Sequence, residues 1–290
     1  MTSLDKSFLD TSVWKKDIFK GKVAFITGGA GTIGRVQSQA LVLLGADIAI
    51  IGRRVEVTEK AAQEIAQLRP GAKVLGIGGV DVRDVSLLKK AVERTLRELG
   101  RIDFVIAGAA GNFLAPFAGL STNAFKTVVD IDLVGSYNTA KATFEAVRKT
   151  KGVYLFISAG LHYAGTPMQS HACAAKAGVD ALSNNMAIEL GPLGIRSNTI
   201  CPGAIEGTEG MDRLVPKEEL KEMVSKIPLG AMGKPQDIAE GTVFLLSDAA
   251  KYISGTTLVV DASQWRMGNF AAINSYPQVL SNLNGGKNKI

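Results

Sequence analysis

Short runs of branched apolar residues alternate with amphipathic segments along most of this chain, and that alternation leaves few folds open. Val23 to Thr27, Ile48 to Ile51, Lys73 to Val80, Phe104 to Ala107, Val153 to Ile157, Ile195 to Ile200 and Thr257 to Val260 read as strands. Between them, Arg35 to Leu44, Val55 to Leu68, Val85 to Leu99, His171 to Leu190 and Pro235 to Leu246 carry a helical period. A longer helix is expected from the N-cap residue Ser121 toward Lys149. Near-continuous Val/Ile runs imply strands buried on both faces, hence a parallel sheet flanked by helices. Short loops and right-handed crossovers then favour a doubly wound α/β fold with seven parallel strands. The 290 residues suit one domain over 22–267, with an arm over 1–21 and a polar tail over 268–290.

The first strand runs straight into Thr27-Gly28-Gly29-Ala30-Gly31-Thr32-Ile33-Gly34. A Gly-rich turn between a first strand and a first helix is where a Rossmann fold receives a pyrophosphate. Small residues let the backbone approach the phosphates, and the helix N-terminus faces their charge. The stretch from Lys22 to Arg54 is thus the core of a dinucleotide site. The second strand ends in Arg53-Arg54, where a site preferring NADH places an acidic residue. Guanidinium groups pair well with a 2′-phosphate, so NADPH is the expected cofactor, with Arg35 a possible third cation.

Composition narrows the remaining classes. No apolar run reaches the roughly 18–20 residues of a membrane span, and the N-terminus has no apolar signal core. Two cysteines make a disulfide framework unlikely to be the organising device and fit a reducing compartment. Net charge is +6, but the cations are dispersed and aromatics make up only 6%, without interleaving. That pattern reads first as a solvated basic surface and second as attraction of a polyanionic small molecule, with nucleic acid ranked below both. No metal site is expected.

In order, Thr27-Gly28 to Gly34, Asp81-Val82, Ala107 to Gly111, Ser158, Lys176 and Pro202-Gly203 resemble the short-chain dehydrogenase/reductase superfamily over roughly residues 20 to 263. A narrower set is similar to peroxisomal 2,4-dienoyl-CoA reductases, above all the fungal ones. It comprises Ala109 to Phe113, Asn123 to Lys126, Val129 to Asp132, His171 to Gly178, and Pro202 to Gly210. Three departures from the general superfamily pattern stand out. Thr32 replaces a glycine of the turn, Asp132 replaces the helix asparagine, and Ala172 stands where the catalytic tyrosine precedes the lysine by four residues. An alanine cannot exchange a proton with a ketone oxygen, so ordinary alcohol/ketone chemistry is not expected.

The resemblance implies reduction of a 2,4-dienoyl-CoA to a 3-enoyl-CoA. The cofactor contacts it implies are Gly28, Gly29, Gly31, Thr32, Ile33, Gly34, Arg53, Arg54, Asp81, Val82, Ala109, Lys176, Pro202, Gly203, Ala204, Ile205 and Thr208. Lys176 would bond the nicotinamide ribose, and Asp132 would deliver a proton through water. His171 is the other candidate donor. Asp130 lies two residues from Asp132 and faces another side of the helix, so only one of them is expected in the site. The Thr32 hydroxyl would cap the helix or bond a phosphate. Arg53 and Arg83 would meet CoA phosphates, Asn112 the thioester oxygen, and Phe113, Ser121, Thr122 and Asn123 the substrate. Met211 to Ile227 would form a lid. A homodimer or homotetramer built on the helices at 121–149 and 171–190 is implied. Asn288-Lys289-Ile290 resembles the S-K-L address read by the peroxisomal import receptor, which places the protein in the peroxisomal matrix. Two alternatives stay open: a related enoyl-CoA or carbonyl reductase, and a catalytically silent NADP-binding regulatory protein.

Overall fold

The computed structural model describes residues 4–11, 13–225 and 227–267. The tail and its Asn288-Lys289-Ile290 address lie outside the described residues. The elements run α1 (Phe8–Thr11), β1 (Val23–Thr27), α2 (Thr32–Leu43), β2 (Asp47–Ile51), α3 (Val55–Ala66), β3 (Val74–Ile77), α4 (Val85–Leu99) and β4 (Phe104–Ala107). Then follow α5 (Thr122–Val129), α6 (Gly135–Thr150), β5 (Val153–Ile157), α7 (Ser170–Leu190) and β6 (Arg196–Pro202). The chain continues with α8 (Glu209–Leu214), α9 (Lys217–Ser225), α10 (Pro235–Leu246), β7 (Thr257–Val260) and α11 (Gln264–Met267).

Seven parallel strands form one sheet in the order β3-β2-β1-β4-β5-β6-β7. The apolar runs explain the burial: Val23 to Thr27 and Phe104 to Ala107 are buried residue by residue. One face packs on α2 and α10 through Val36, Leu41, Ile238 and Val243, and the other on α4, α6 and α7 through Leu88, Val147 and Val179. Chain direction away from β1 reverses between β1 and β4. In a sheet of this kind ligands bind beyond the carboxyl ends of the strands at that reversal, and the site lies there.

Local chemistry sets the element ends. Asp84 caps α4 by accepting the Ser86 and Leu87 N–H groups, and Gly100 closes it at φ 82°. The third strand stops at Ile77 rather than running to Val80, because Gly79 turns the chain at φ 73°. The expected helix from 121 toward 149 is interrupted. One π-helical turn, Asp130–Val134, separates α5 from α6, and such turns recur at functional sites. The arm docks onto the domain: Leu4 and Phe8 are buried, and the Leu4 N–H donates to Gln39 Oε1 at 2.9 Å. Among the described residues no helix is long and apolar enough to cross a membrane.

Candidate active site

The glycine turn is built for close backbone packing. Gly28 has φ +72°, and a Cβ there would lie 2.6 Å from the Gly108 carbonyl oxygen. A Cβ on Gly34 would lie 2.4 Å from the Gly28 carbonyl oxygen. Gly31 is the N-cap of α2 and offers no side-chain cap. The first-turn N–H groups of Thr32, Ile33 and Gly34 have no intrahelical acceptor by helix geometry, so they remain for an anion. Thr32 does not cap the helix. Its hydroxyl donates to the Gly207 carbonyl at 3.3 Å, tying the turn to the segment after β6. Arg35 points away from this role and pairs with Glu64.

At the end of β2, Arg53 and Arg54 are exposed. Asp81 accepts both Arg83 Nε (3.0 Å) and Nη2 (2.6 Å). That hydrogen bonding holds the Asp81 carboxyl below its ordinary range, with the Arg53 charge adding a smaller pull. Arg53, Asp81 and Arg83 thus form one cluster beyond β2 and β3. Val82 is buried, and its carbonyl accepts from Asn138 Nδ2 at 3.0 Å.

The π turn carries Asp132 inward and leaves Asp130 outside, paired with Lys126. Asp132 is 2% exposed. Its Oδ1 accepts the Gly111 N–H at 2.7 Å, and its Oδ2 meets Lys176 Nζ at 3.1 Å. Lys176 Nζ also donates to the Ile157 carbonyl at 3.0 Å. An ammonium has three N–H donors, so one is left for the adjoining cavity. Beside it, Ser158 Oγ is buried without a hydrogen-bond partner. An orphaned buried hydroxyl costs about 1–3 kcal/mol, which a bound ligand would relieve.

Lys176 and Ser158 line a cavity of about 600 Å³. Ile33, Pro202, Gly203, Ala204, Ile205 and Thr208 share its wall, as do the apolar side chains Leu114, Leu161, Met211, Val215, Met223 and Trp265. α8 and α9 carry part of this wall, within the 211–227 segment expected to form a lid. Asn112 is on the wall too, with Nδ2 donating to Gln169 Oε1 at 2.6 Å and Oδ1 accepting the Phe113 N–H at 2.8 Å. No tyrosine is among the described residues of this wall. Ala172 is buried at 1% exposure one helical turn before Lys176.

A family model described as Enoyl-(Acyl carrier protein) reductase matches residues 28–262. The chain belongs to the short-chain dehydrogenase/reductase family. It is 55% identical over 279 residues to the peroxisomal 2,4-dienoyl-CoA reductase SPS19, (3E)-enoyl-CoA-producing, of Saccharomyces cerevisiae, covering 96% of each chain. The Arabidopsis thaliana enzyme of that description is 41% identical over 264 residues, covering 88% of each. Among solved structures, levodione reductase superposes with a TM-score of 0.81 at 30% identity, covering 86% of this chain and 99% of that one. As in this family generally, the cofactor is a nicotinamide dinucleotide. The uncapped α2 N-terminus, the tight glycines and the orphaned Ser158 hydroxyl fit such a molecule.

Several expected positions of this short-chain reductase fall elsewhere than the cavity. Phe113 is not on the wall and packs on His171, with ring centroids 4.4 Å apart. Ser121 caps α5 by accepting the Ala124 N–H, and Thr122 and Asn123 begin that helix on the exposed surface. Arg53 and Arg83 also stand off the wall, in the Asp81 cluster, and the Arg83 guanidinium is already committed to Asp81. His171 is fully buried, neither ring nitrogen makes a hydrogen bond of normal geometry, and burial pushes its pKa down. A neutral buried imidazole is a poor proton donor. Several wall residues escaped the sequence reading, among them Leu114, Leu161, Gln169 and Trp265. Gln169 precedes α7, makes no side-chain cap and instead accepts from Asn112, a pairing 57 residues apart that no local pattern shows. Trp265 follows β7, where no pattern points inward.

Proposed function

We propose that this chain is an NADPH-dependent 2,4-dienoyl-CoA reductase that forms 3-enoyl-CoA in the peroxisomal matrix during β-oxidation of unsaturated fatty acids. The observation that carries the reading is Ala172 in place of a phenol, beside an intact buried Lys176–Asp132 pair at an apolar cavity. Such a site cannot protonate a carbonyl oxygen through tyrosine, yet it keeps the charges that catalysis on a conjugated thioester needs. The names of the Saccharomyces cerevisiae and Arabidopsis thaliana relatives support the same substrate, product and compartment.

Bound reduced nicotinamide supplies a hydride to C5 of the dienoyl chain. The C4–C5 π electrons then shift to make the C3–C4 double bond, the C2–C3 π bond opens toward C1, and the carbonyl π pair moves to oxygen to give the thioester enolate. The chain must stabilise that oxygen and protonate the α carbon. The free Lys176 N–H and the Ser158 hydroxyl supply donors at the cavity wall, and Asn112 has one uncommitted amide N–H. Donors of this kind are worth about 3–4 kcal/mol each when aimed at developing charge. Asp132 lies behind Lys176, so its part in the proton path runs through the Lys176 ammonium or a water beside it. Gly111 fixes the carboxylate from the other side.

The exposed Arg53 and Arg54 support selection of NADPH through its 2′-phosphate. Exposed Phe125, Tyr137 and Ile188 on α5, α6 and α7 support a homodimer or homotetramer joined through those helices. The Asn288-Lys289-Ile290 terminus supports delivery by the peroxisomal import receptor.

Purified protein mixed with NADPH and a 2,4-dienoyl-CoA should consume both chromophores together. Absence of turnover with intact NADPH binding would leave the silent NADP-binding reading. Turnover of 2-enoyl-CoA alone would favour the enoyl-CoA reductase alternative.

A further inference from the structure

One residue is common to the walls of two neighbouring spaces. Trp265, in α11, lines both the 600 Å³ cavity and an open depression of about 490 Å³ beyond it. The depression is otherwise walled by His162, Tyr163, Ala177, Asp180, Ala181, Asn184, Thr257 and Val259, none of which lines the main cavity. Trp265 is the one described residue common to both walls.

Trp265 is braced on several sides. The Trp265 backbone N–H donates to Asp261 Oδ2 at 2.6 Å, which fixes the start of α11 beneath the side chain. The Tyr163 ring lies 5.4 Å away, centroid to centroid, tilted at 60°. The Arg266 guanidinium stands 3.7 Å from the indole centroid, a cation–π contact. Tyr163 is itself anchored, its hydroxyl donating to Asp180 Oδ2 at 2.9 Å, while His162 Nε2 meets the same oxygen at 3.0 Å. An indole packed against a second ring and a guanidinium, on backbone fixed by an acid, is less free to change rotamer than an unpacked one.

We propose that Trp265 is the end wall of the acyl cavity and sets the acyl chain length the enzyme accepts. The proposal rests on the dienoyl-CoA reading of the site. With the reacting carbons held near Lys176 and Ser158, an acyl tail runs along Leu161, Met211, Val215 and Met223 and stops against the indole. Each methylene buried before the wall adds about fourfold to affinity, and each one beyond it adds nothing or clashes. Truncating the indole joins the cavity to the depression, whose Ala177, Ala181 and Val259 flank the new path.

The test measures dissociation constants for saturated acyl-CoAs of short, medium and long chain with NADP+ present, in wild type and Trp265→Ala. Wild-type affinity should rise with length and then level off. In Trp265→Ala the levelling point should move to longer chains, so that the longest ligands gain on the order of tenfold relative to the shortest. NADPH binding and the melting temperature check the fold, and Trp265→Leu replaces the alanine variant if that one unfolds. An unchanged levelling point, or the same loss at every length, overturns the proposal. So does a wild type that binds no acyl-CoA. If wild type binds the series but reduces no dienoyl-CoA, the functional reading fails while the wall stands.

Discussion

Replacing Asp132 by Asn tests the buried ion pair without changing its shape. Asn keeps an acceptor for the Gly111 N–H but cannot carry the charge that faces Lys176 at 3.1 Å. The two side chains are only 2% and 9% exposed, so solvent cannot replace the lost counterion. Removing one member of a buried pair costs about 3–5 kcal/mol. Lys176 keeps the Ile157 carbonyl and borders a cavity, which argues for the lower end. At about 3 kcal/mol the melting temperature should fall by roughly 6–12 °C for a domain of this size. A positioned acid–base group contributes about 10²–10⁴ in rate, so kcat should drop by that factor. The NADPH dissociation constant should stay within about threefold, since none of the turn that receives phosphate is touched. Stopped-flow NADPH oxidation, cofactor fluorescence titration and a melting curve give the three numbers. An unchanged kcat with a lowered melting temperature would make Asp132 a structural counterion and remove it from the proton path. A double mutant with Lys176→Met should be no slower than the worse single mutant, because groups acting as a unit are non-additive.

Three further outcomes are expected. Arg53→Ala should raise the NADPH dissociation constant about 10- to 100-fold, the loss of one charge-assisted bond of ~1.5–3 kcal/mol, while NADH binding barely moves; equal changes for both cofactors would refute the 2′-phosphate role. Gly34→Ala places a Cβ 2.4 Å from the Gly28 carbonyl oxygen, so the thermal stabilisation that NADPH confers on the wild type should vanish, and an undiminished shift would show that the turn is not the phosphate site. His171 has its pKa pushed down by burial. Its folded value lies below its unfolded value of about 6.5, so its contribution to stability is complete above that pH and is lost as pH falls through the folded value. The urea midpoint of wild type should therefore fall more steeply below about pH 6.5 than that of His171→Leu, and parallel profiles would contradict the burial argument.

The sheet was legible because Val/Ile runs buried on both faces have no other common explanation, and the glycine turn because its context is local. The ends of elements were less so. Gly78 and Gly79 cut β3 short through a packing constraint, since a Cβ on Gly78 would lie 2.4 Å from Val55 Cα. Helical periodicity could say that Asp130 and Asp132 face different ways. It could not show the π turn that drives Asp132 inward. Arg35 is spent on Glu64, a partner 29 residues away that only folding brings near, whereas Arg83 is spent on Asp81, two residues before it, through a local turn. The cavity wall draws on Gln169, Met211 and Trp265 from segments far apart in sequence, so only the fold assembles it.

Hydride should enter a conjugated acyl chain at a site with no phenol among its described residues to protonate a carbonyl. The most direct test is product analysis after reduction of a 2,4-dienoyl-CoA with cofactor deuterated at the transferred position. The expected product is 3-enoyl-CoA carrying deuterium at C5 and a solvent-derived proton at the α carbon. A 2-enoyl product, deuterium at another carbon, or an alcohol from carbonyl reduction would contradict it.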